Sequence, residues 1–252
     1  MLAFSSLLGN VEGQNIYRIW YDKPASYWEE ALPVGNGRIA AMVFGDPQLE
    51  QIQLNEETVS AGSPYQNYNE EAKAALPEMR RLIFEGKYEE AQNMAATKIL
   101  SQVGNEMPYQ TVGRLNIRYQ DHKKVNNYYR DLDISNAVAV TRYEVDGVEF
   151  TEETFASFTD QLVIRHIKAS KPGTINCELF FNTPMRDPKR SIYGKKGLRL
   201  EGITYGSRYF PGKVHYCADL DVKHKGGKVI TANDTSLSVQ GASELTLYIS
   251  MA

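Results

Sequence analysis

The chain has 252 residues, enough for one large β domain or two small ones with a sizeable core. Its 42% hydrophobic and 23% charged residues are ordinary for a globular protein. A net charge of −3 argues against a nucleic-acid partner, because phosphate contacts need a basic face.

Residues 1–15 open with a short apolar run, Leu2 to Leu8, followed by small and polar residues. They read as a leader or a truncated signal peptide whose positively charged start is missing. No other run approaches the ~20 apolar residues of a membrane span, so no membrane partner is expected.

From Ile16 to Asn55 the pattern is strand-like. "RIAAMVFG" is a continuous apolar run bounded by glycines, as in a strand buried on both faces. "QIQLN" alternates, with Ile52 and Leu54 on one side. Between the first strands lies "WEEALPVGNGR", where Gly35 and Gly37 can take positive φ and Asn36 tolerates it.

Residues 69–100 read as a helical insertion of two or three short helices. Ala72, Leu76, Met79 and Ile83 recur at helical spacing, and Asn69 can cap. Pro77 is expected to start a second helix, Gly86 to end it, and Tyr88, Ala91 and Ala95 to mark a third.

After Gly113 the β signal persists to the end. Asp146-Gly147 reads as the two-residue turn of a hairpin. Leu220 and Val222 share a strand face, and so do Leu245, Leu247 and Ile249. Asn182 to Gly197 reads as a polar, basic loop. Many strands joined by turns, without strand-helix alternation, predict a mainly β fold: a large antiparallel β-sandwich over residues 16–252 with the helical insertion.

The chemistry of familiar enzymes is missing. No G-x-S-x-G, G-x-x-x-x-G-K-[ST] or H-E-x-x-H pattern occurs, so neither metal nor cofactor is expected. His122, His166, His215 and His224 are isolated from one another, and His166 reads as a packed histidine beside Leu162 and Ile164. Cys177 and Cys217 read as buried free thiols. The 11% aromatic content, with 16 Tyr, suits sheets and also surfaces that meet sugars. Trp20, Trp28, Tyr65 and Tyr68 are candidates for a sugar platform, although core packing is expected to claim most of them. Glu29, Glu30, Glu56 and Glu57 are candidate acids; the last two, adjacent on a strand, face opposite ways.

Four ordered stretches resemble one family: "WYDKPASYWEEALPVGNGRIAAMVFG", "IQLNEETVSAGSPYQNYN", "MPYQTVG" and "YYRDLDISNAVAVTRYEVDGVEFTEETFASFTDQLVI". From about Ile16 to Ala252 the chain resembles the N-terminal domain of glycoside hydrolase family 95, the α-L-fucosidases. That resemblance implies a β-supersandwich, followed in the family by a helical linker, an (α/α)6 barrel and a small β domain. It implies hydrolysis of terminal α-1,2-linked L-fucose, with inversion and without a metal. The family's catalytic acid and water-activating residues lie in the barrel, so no catalytic residue is assigned to this chain, which is expected to be inactive alone. The expected partners are that barrel and, through it, a fucosylated oligosaccharide. With the leader, the resemblance also implies a bacterial periplasmic or secreted location. Two departures from the family stand out: "LNEETVSAGSP" has Ser60 near the place of a Trp, and Arg114 stands where a smaller or acidic residue is expected.

Trp28, Asn36, Arg38, Asn55, Glu56 and Glu57 are therefore candidates for substrate binding or a domain interface. Asn36, Arg38 and the turn from Asn55 to Thr58 are expected together at one end of the sandwich. The Arg38 fork can pair with a carboxylate across such an interface, or with Glu30 or Glu56 within the domain. A stand-alone carbohydrate-binding module is the alternative function.

Overall fold

A computed structural model describes residues 17–62, 67–101, 108–206 and 211–252. The strands, in chain order, begin with β1 (Arg18–Tyr21), β2 (Leu32–Gly35), β3 (Ile39–Val43), β4 (Leu49–Glu56), β5 (Gly113–Tyr119) and β6 (Asn126–Asp133). The hairpin strands β7 (Val138–Val145) and β8 (Val148–Ser157) follow, then β9 (Leu162–Ala169), β10 (Ile175–Asn182), β11 (Arg186–Tyr193) and β12 (Gly197–Ile203). The last four are β13 (His215–Lys225), β14 (Lys228–Asn233), β15 (Ser236–Ala242) and β16 (Glu244–Met251).

These strands form two sheets, and every pairing is antiparallel. The larger has the order β1-β6-β7-β8-β9-β16-β13-β12-β11, and the smaller β14-β15-β10-β5-β4-β3-β2. Their inner faces pack together, as alternation of apolar residues along each strand requires. Ile52 and Leu54 of β4 meet a core that includes Leu245, Leu247 and Ile249 of β16 and Leu220 and Val222 of β13. The large β-sandwich read from the sequence is thus the observed architecture. The β7–β8 turn is Asp146-Gly147, both residues at positive φ.

The helical insertion is present with altered boundaries. Helix α1 (Ala72–Phe84) runs straight through Pro77, where a new helix was expected. Pro77 lies beyond the first turn, so it removes one backbone N–H without ending the helix. The buried face is Ala75 and Leu82, with Ile83 exposed. Gly86 at φ 74° ends α1, and Lys87 N–H closes back on Leu82 O at 2.9 Å. Helix α2 (Tyr88–Met94) follows and continues into a π-helical turn, Ala95–Ile99. Asn69 does not sit at the N-cap position. Its Oδ1 accepts from Glu71 N at 3.0 Å, and its Nδ2 reaches Thr97 O and Leu100 O, tying the two ends of the insertion together.

Three local expectations are corrected. Strand β3 is buried on one face only: Ala40 is exposed and Met42 half-buried. Small and flexible apolar residues on the outer side make the sequence run look continuous. The basic segment Asn182 to Gly197 is mostly strand β11 at the edge of the larger sheet. Its charges face water, and Pro188 sits at a register shift between Arg186 and Lys189, where no ladder N–H is needed. His166 lies on the outer face, half-buried, with Nδ1 3.0 Å from Thr246 Oγ1. Both cysteines are free thiols, Cys177 buried and Cys217 half-buried.

A polar network crosses the core. The Arg165 guanidinium of β9 bonds Glu50 of β4 at 2.9 Å, Glu152 of β8, and Thr154 Oγ1 at 2.7 Å. Tyr119 and Tyr143 both donate to Glu152, at 2.8 and 2.9 Å. Glu50 Oε1 accepts from the N–H groups of Phe44 and Gly45. Its burial lifts the Glu50 carboxyl to about 7, partly offset by Arg165.

Candidate functional site at one end of the sandwich

The turn between β2 and β3 is built by Asn36. Its Oδ1 accepts from the N–H groups of Arg38 (3.1 Å) and Ile39 (3.0 Å), satisfying both while the chain reverses. Gly37 takes φ 95°, which is why glycine stands there. Gly35 does not need positive φ. It ends β2 opposite Ala40 and sits close to Ile39 O and the Ala40 side chain.

The turn aims Arg38 at the facing sheet. Its Nε donates to Gln161 Oε1 (2.9 Å), Nη1 to Glu56 Oε1 (3.2 Å) and Nη2 to the carbonyl of Met251 (3.1 Å). Asn36 Nδ2 adds bonds to Ser157 O (2.9 Å) and to Gln161 Oε1 (3.2 Å). Gln161 lies in the β8–β9 turn at φ 57°, a left-handed conformation that costs a non-glycine residue about 1 kcal/mol or more. Its Oε1 thus accepts from both Asn36 and Arg38, and its Nε2 donates to Phe158 O at 2.7 Å. The buried Glu56 carboxylate turns its other oxygen to Thr58 N (2.8 Å) and Thr58 Oγ1 (2.6 Å). Tyr109 OH donates to Glu56 O at 3.1 Å.

The β2–β3 turn, the end of β4, the β8–β9 turn and the end of β16 are therefore clamped by one polar cluster. Of the sequence candidates, Asn36, Arg38 and Glu56 come together. Arg38 takes Glu56 and not Glu30, whose carboxylate instead accepts from Ser26 N at 2.8 Å and pairs with Lys23. Glu57 lies in the turn just past β4, is exposed, and contributes its backbone N–H to Arg38 O. Asn55 and Trp28 stand apart. Asn55 is half-buried on the outer face of the smaller sheet. Trp28 opens a single 3-10 turn, Trp28–Glu30, and is half-exposed. Gln161 and Met251 were not foreseen; they lie 123 and 213 positions from Arg38, and no local pattern marks them.

The segment carrying Trp28 is pinned from beneath by Arg130 of β6, fully buried. Its Nε donates to Lys23 O (2.8 Å), its Nη1 to Glu30 O (2.7 Å), and its guanidinium lies 4.1 Å from the Tyr21 ring centroid. The aromatic candidates are more exposed than expected: Trp20 60%, Trp28 50% and Tyr68 65%. Trp20 stacks on Tyr129 at the sheet edge, with ring centroids 6.2 Å apart. Strand alternation cannot say which face of an edge strand is covered, and in β1 Ile19 and Trp20 are both exposed while Tyr21 is half-buried. Tyr65 and the leader lie outside the described residues.

Two carboxylates do converge, on Arg165, but Glu50 and Glu152 are both fully buried in the core and no substrate reaches them. Among the described residues no group of three or more His, Cys, Asp or Glu side chains could hold a metal ion, and no helix is long and apolar enough to cross a membrane.

The chain is 32% identical to α-L-fucosidase 2 of Arabidopsis thaliana over 95% of its own length and 31% of that protein. It is 28% identical to a probable α-fucosidase A of Aspergillus niger over 74% of its length and 24% of that protein. It is 25% identical to a probable α-fucosidase A of Aspergillus oryzae over 65% of its length and 23% of that protein. The chain thus spans about a third or less of these curated relatives. Among solved structures, a putative kojibiose phosphorylase from the human microbiome is similar with a TM-score of 0.47 at 9% identity, covering 94% of this chain and 32% of that one. The family model for the glycosyl hydrolase family 65 N-terminal domain matches residues 19–252, and the chain belongs to that family, as the N-terminal domain of a glycoside hydrolase related to the fucosidases.

Proposed function

We propose that this chain is the supporting module of an α-L-fucosidase that removes terminal α-1,2-linked fucose from oligosaccharides, and that it is inactive alone. The observation that carries this reading is the match to the Arabidopsis α-L-fucosidase 2, which runs over nearly all of this chain but only the corresponding third of that protein. A catalytic (α/α)6 barrel in the same polypeptide is the partner, inverting the fucoside without a metal. The exposed side chains Ile83, Phe84 and Tyr88 all belong to the helical insertion, with Phe84 at 89% exposure, which supports a docking surface there. Asn36, Arg38 and Glu56 serve that interface indirectly, by fixing the sandwich end. A periplasmic or secreted location goes with this reading.

The test is a chimera. The chain replaces the matching third of the Arabidopsis enzyme, and both chimera and chain alone are given 2′-fucosyllactose. The chimera should release fucose and the chain alone none. Phe84→Ser should weaken the chimera while leaving the melting of the chain alone unchanged. Turnover by the isolated chain would overturn the supporting role, and a folded chimera without fucosidase activity would overturn the fucosidase reading.

A further inference from the structure

The outer face of the smaller sheet carries hydrogen-bonding groups that the chain does not use. Met42, Gln53, Arg114 and Asn182 stand side by side on β3, β4, β5 and β10, directly opposite one another in register. Strands about 4.8 Å apart make this row about 14 Å long. The Gln53 side-chain amide has no hydrogen bond among the described residues, although the residue is half-buried. Asn182 spends only its Oδ1, on Thr183 N at 2.9 Å. Arg114 is held by one bond, Nη1 to Gln51 Oε1 at 2.6 Å, and lies 5.7 Å from the Phe44 ring centroid; its other N–H groups are unpaired among the described residues.

Arg114 separates two depressions. One, of about 640 Å³, is walled by Tyr27, Trp28, Phe44, Asp46, Gln51 and Arg114. The other, of about 300 Å³, lies among Gln53, Thr111, Arg114, Asn182 and Thr183. The first has rings on one wall, with Tyr27 fixed by Glu30, whose hydrogen bond pushes the phenol's ionisation up. Arg130 holds that wall in place from below.

We propose that this face binds a neutral oligosaccharide, with Arg114 between two sugar subsites: a ring stacked against Trp28 and Phe44, and a neighbour held by Gln53, Arg114 and Asn182. Sugar hydroxyls donate and accept together, and planar amides and a guanidinium fork answer both. Sugar C–H faces need flat rings. The site rests on the glycoside hydrolase family and not on fucosidase activity.

The 252-residue chain is titrated with lactose, 2′-fucosyllactose and cello-, xylo- and malto-oligosaccharides, following tryptophan fluorescence and calorimetric heat. At least one sugar should bind saturably. Gln53→Ala and Arg114→Ala should each weaken it about tenfold, the worth of one or two lost hydrogen bonds, with melting unchanged. Trp28→Phe should abolish the fluorescence response, and Trp20→Phe should not. Absence of saturable binding across the panel overturns the site, as does binding that Gln53→Ala and Arg114→Ala leave intact. A loss of stability from those variants in the chimera alone would mark the face as an interdomain surface and overturn it too. Binding of an unfucosylated sugar supports the site even if the chimera cleaves no fucoside.

Discussion

Arg38 donates from Nη2 to the main-chain carbonyl of Met251, 3.1 Å away across the sandwich and 213 residues further along the chain. The same fork holds Gln161 and Glu56. One side chain thus ties the first hairpin of the smaller sheet to the last strand of the larger one.

Arg38→Ala should lower the stability of the chain by about 1–2 kcal/mol, a figure held down by the partial exposure of the guanidinium. Arg38→Lys should recover little, because a point charge cannot span three acceptors. Urea unfolding measures both. Wild-type stability in Arg38→Ala would show that the clamp is decorative.

Arg165→Met should cost about 3–5 kcal/mol, since it strands Glu50 and Glu152 together in the core. The network is already imperfect, because Arg165 Nε is buried without a hydrogen-bond partner among the described residues. A triple change of Arg165, Glu50 and Glu152 to apolar residues of similar volume should be far milder than the single one. Thermal melting of the two variants decides, and equal losses would contradict the stranded-charge account.

Glu50 gives stability an unusual pH dependence. Its carboxyl sits at about 7 when folded against an ordinary 4.5. Below pH 4.5 both states hold the proton and burial costs nothing. Above pH 7 both states are ionised and the folded one bears the cost. This group's contribution therefore falls as pH rises from 4.5 to 7, by about 3 kcal/mol. His122, whose burial holds its ring below the usual histidine value, works in the opposite sense. Comparing wild type with Glu50→Gln cancels that effect. The stability difference between them should drift by about 3 kcal/mol in favour of the variant between pH 4.5 and 7.5, and a constant difference would refute the assignment.

Gly45 and Gly37 separate crowding from backbone strain. At Gly45, φ 75°, a Cβ would lie 2.7 Å from Tyr128 Oη and 2.9 Å from Arg130 Cδ. At Gly37, φ 95°, it would meet nothing within 4 Å among the described residues. Gly37→Ala should cost about 1 kcal/mol from strain alone, and Gly45→Ala clearly more, because the Arg130 support must also shift. Chemical denaturation gives both values, and equal losses would mean that the crowding is relieved.

Much of the fold was legible because burial writes itself into alternation. Ile52 with Leu54, Leu220 with Val222, and Leu245 with Leu247 each name a core face without any knowledge of the partner strand. The helical insertion was legible from its 3.6-residue spacing, but Pro77 misled, since a proline in the second turn leaves the helix standing at a local cost. The segment Asn182 to Gly197 was misread because an exposed edge strand and a polar loop share one composition.

The candidate site was legible in part. Asn36, Gly37 and Arg38 announce a turn with a charged fork, and Glu56 announces an inward carboxylate. The partner of that fork was left open between Glu30, Glu56 and another domain, since pairing depends on which strand ends meet. Gln161 and Met251 carry no local mark at all.

The order of residues by itself determined strand faces, the hairpin at Asp146-Gly147 and the family to which the chain belongs, because all three are set by neighbours along the backbone or by motifs in sequence. Only the tertiary structure decided that Arg38 locks two sheets, that Glu50 shares Arg165 with Glu152, and that Gln53, Arg114 and Asn182 line up across three strands. Strand register brings together residues tens to hundreds of positions apart, and that register is fixed by the packing of the whole core, not by any segment of it.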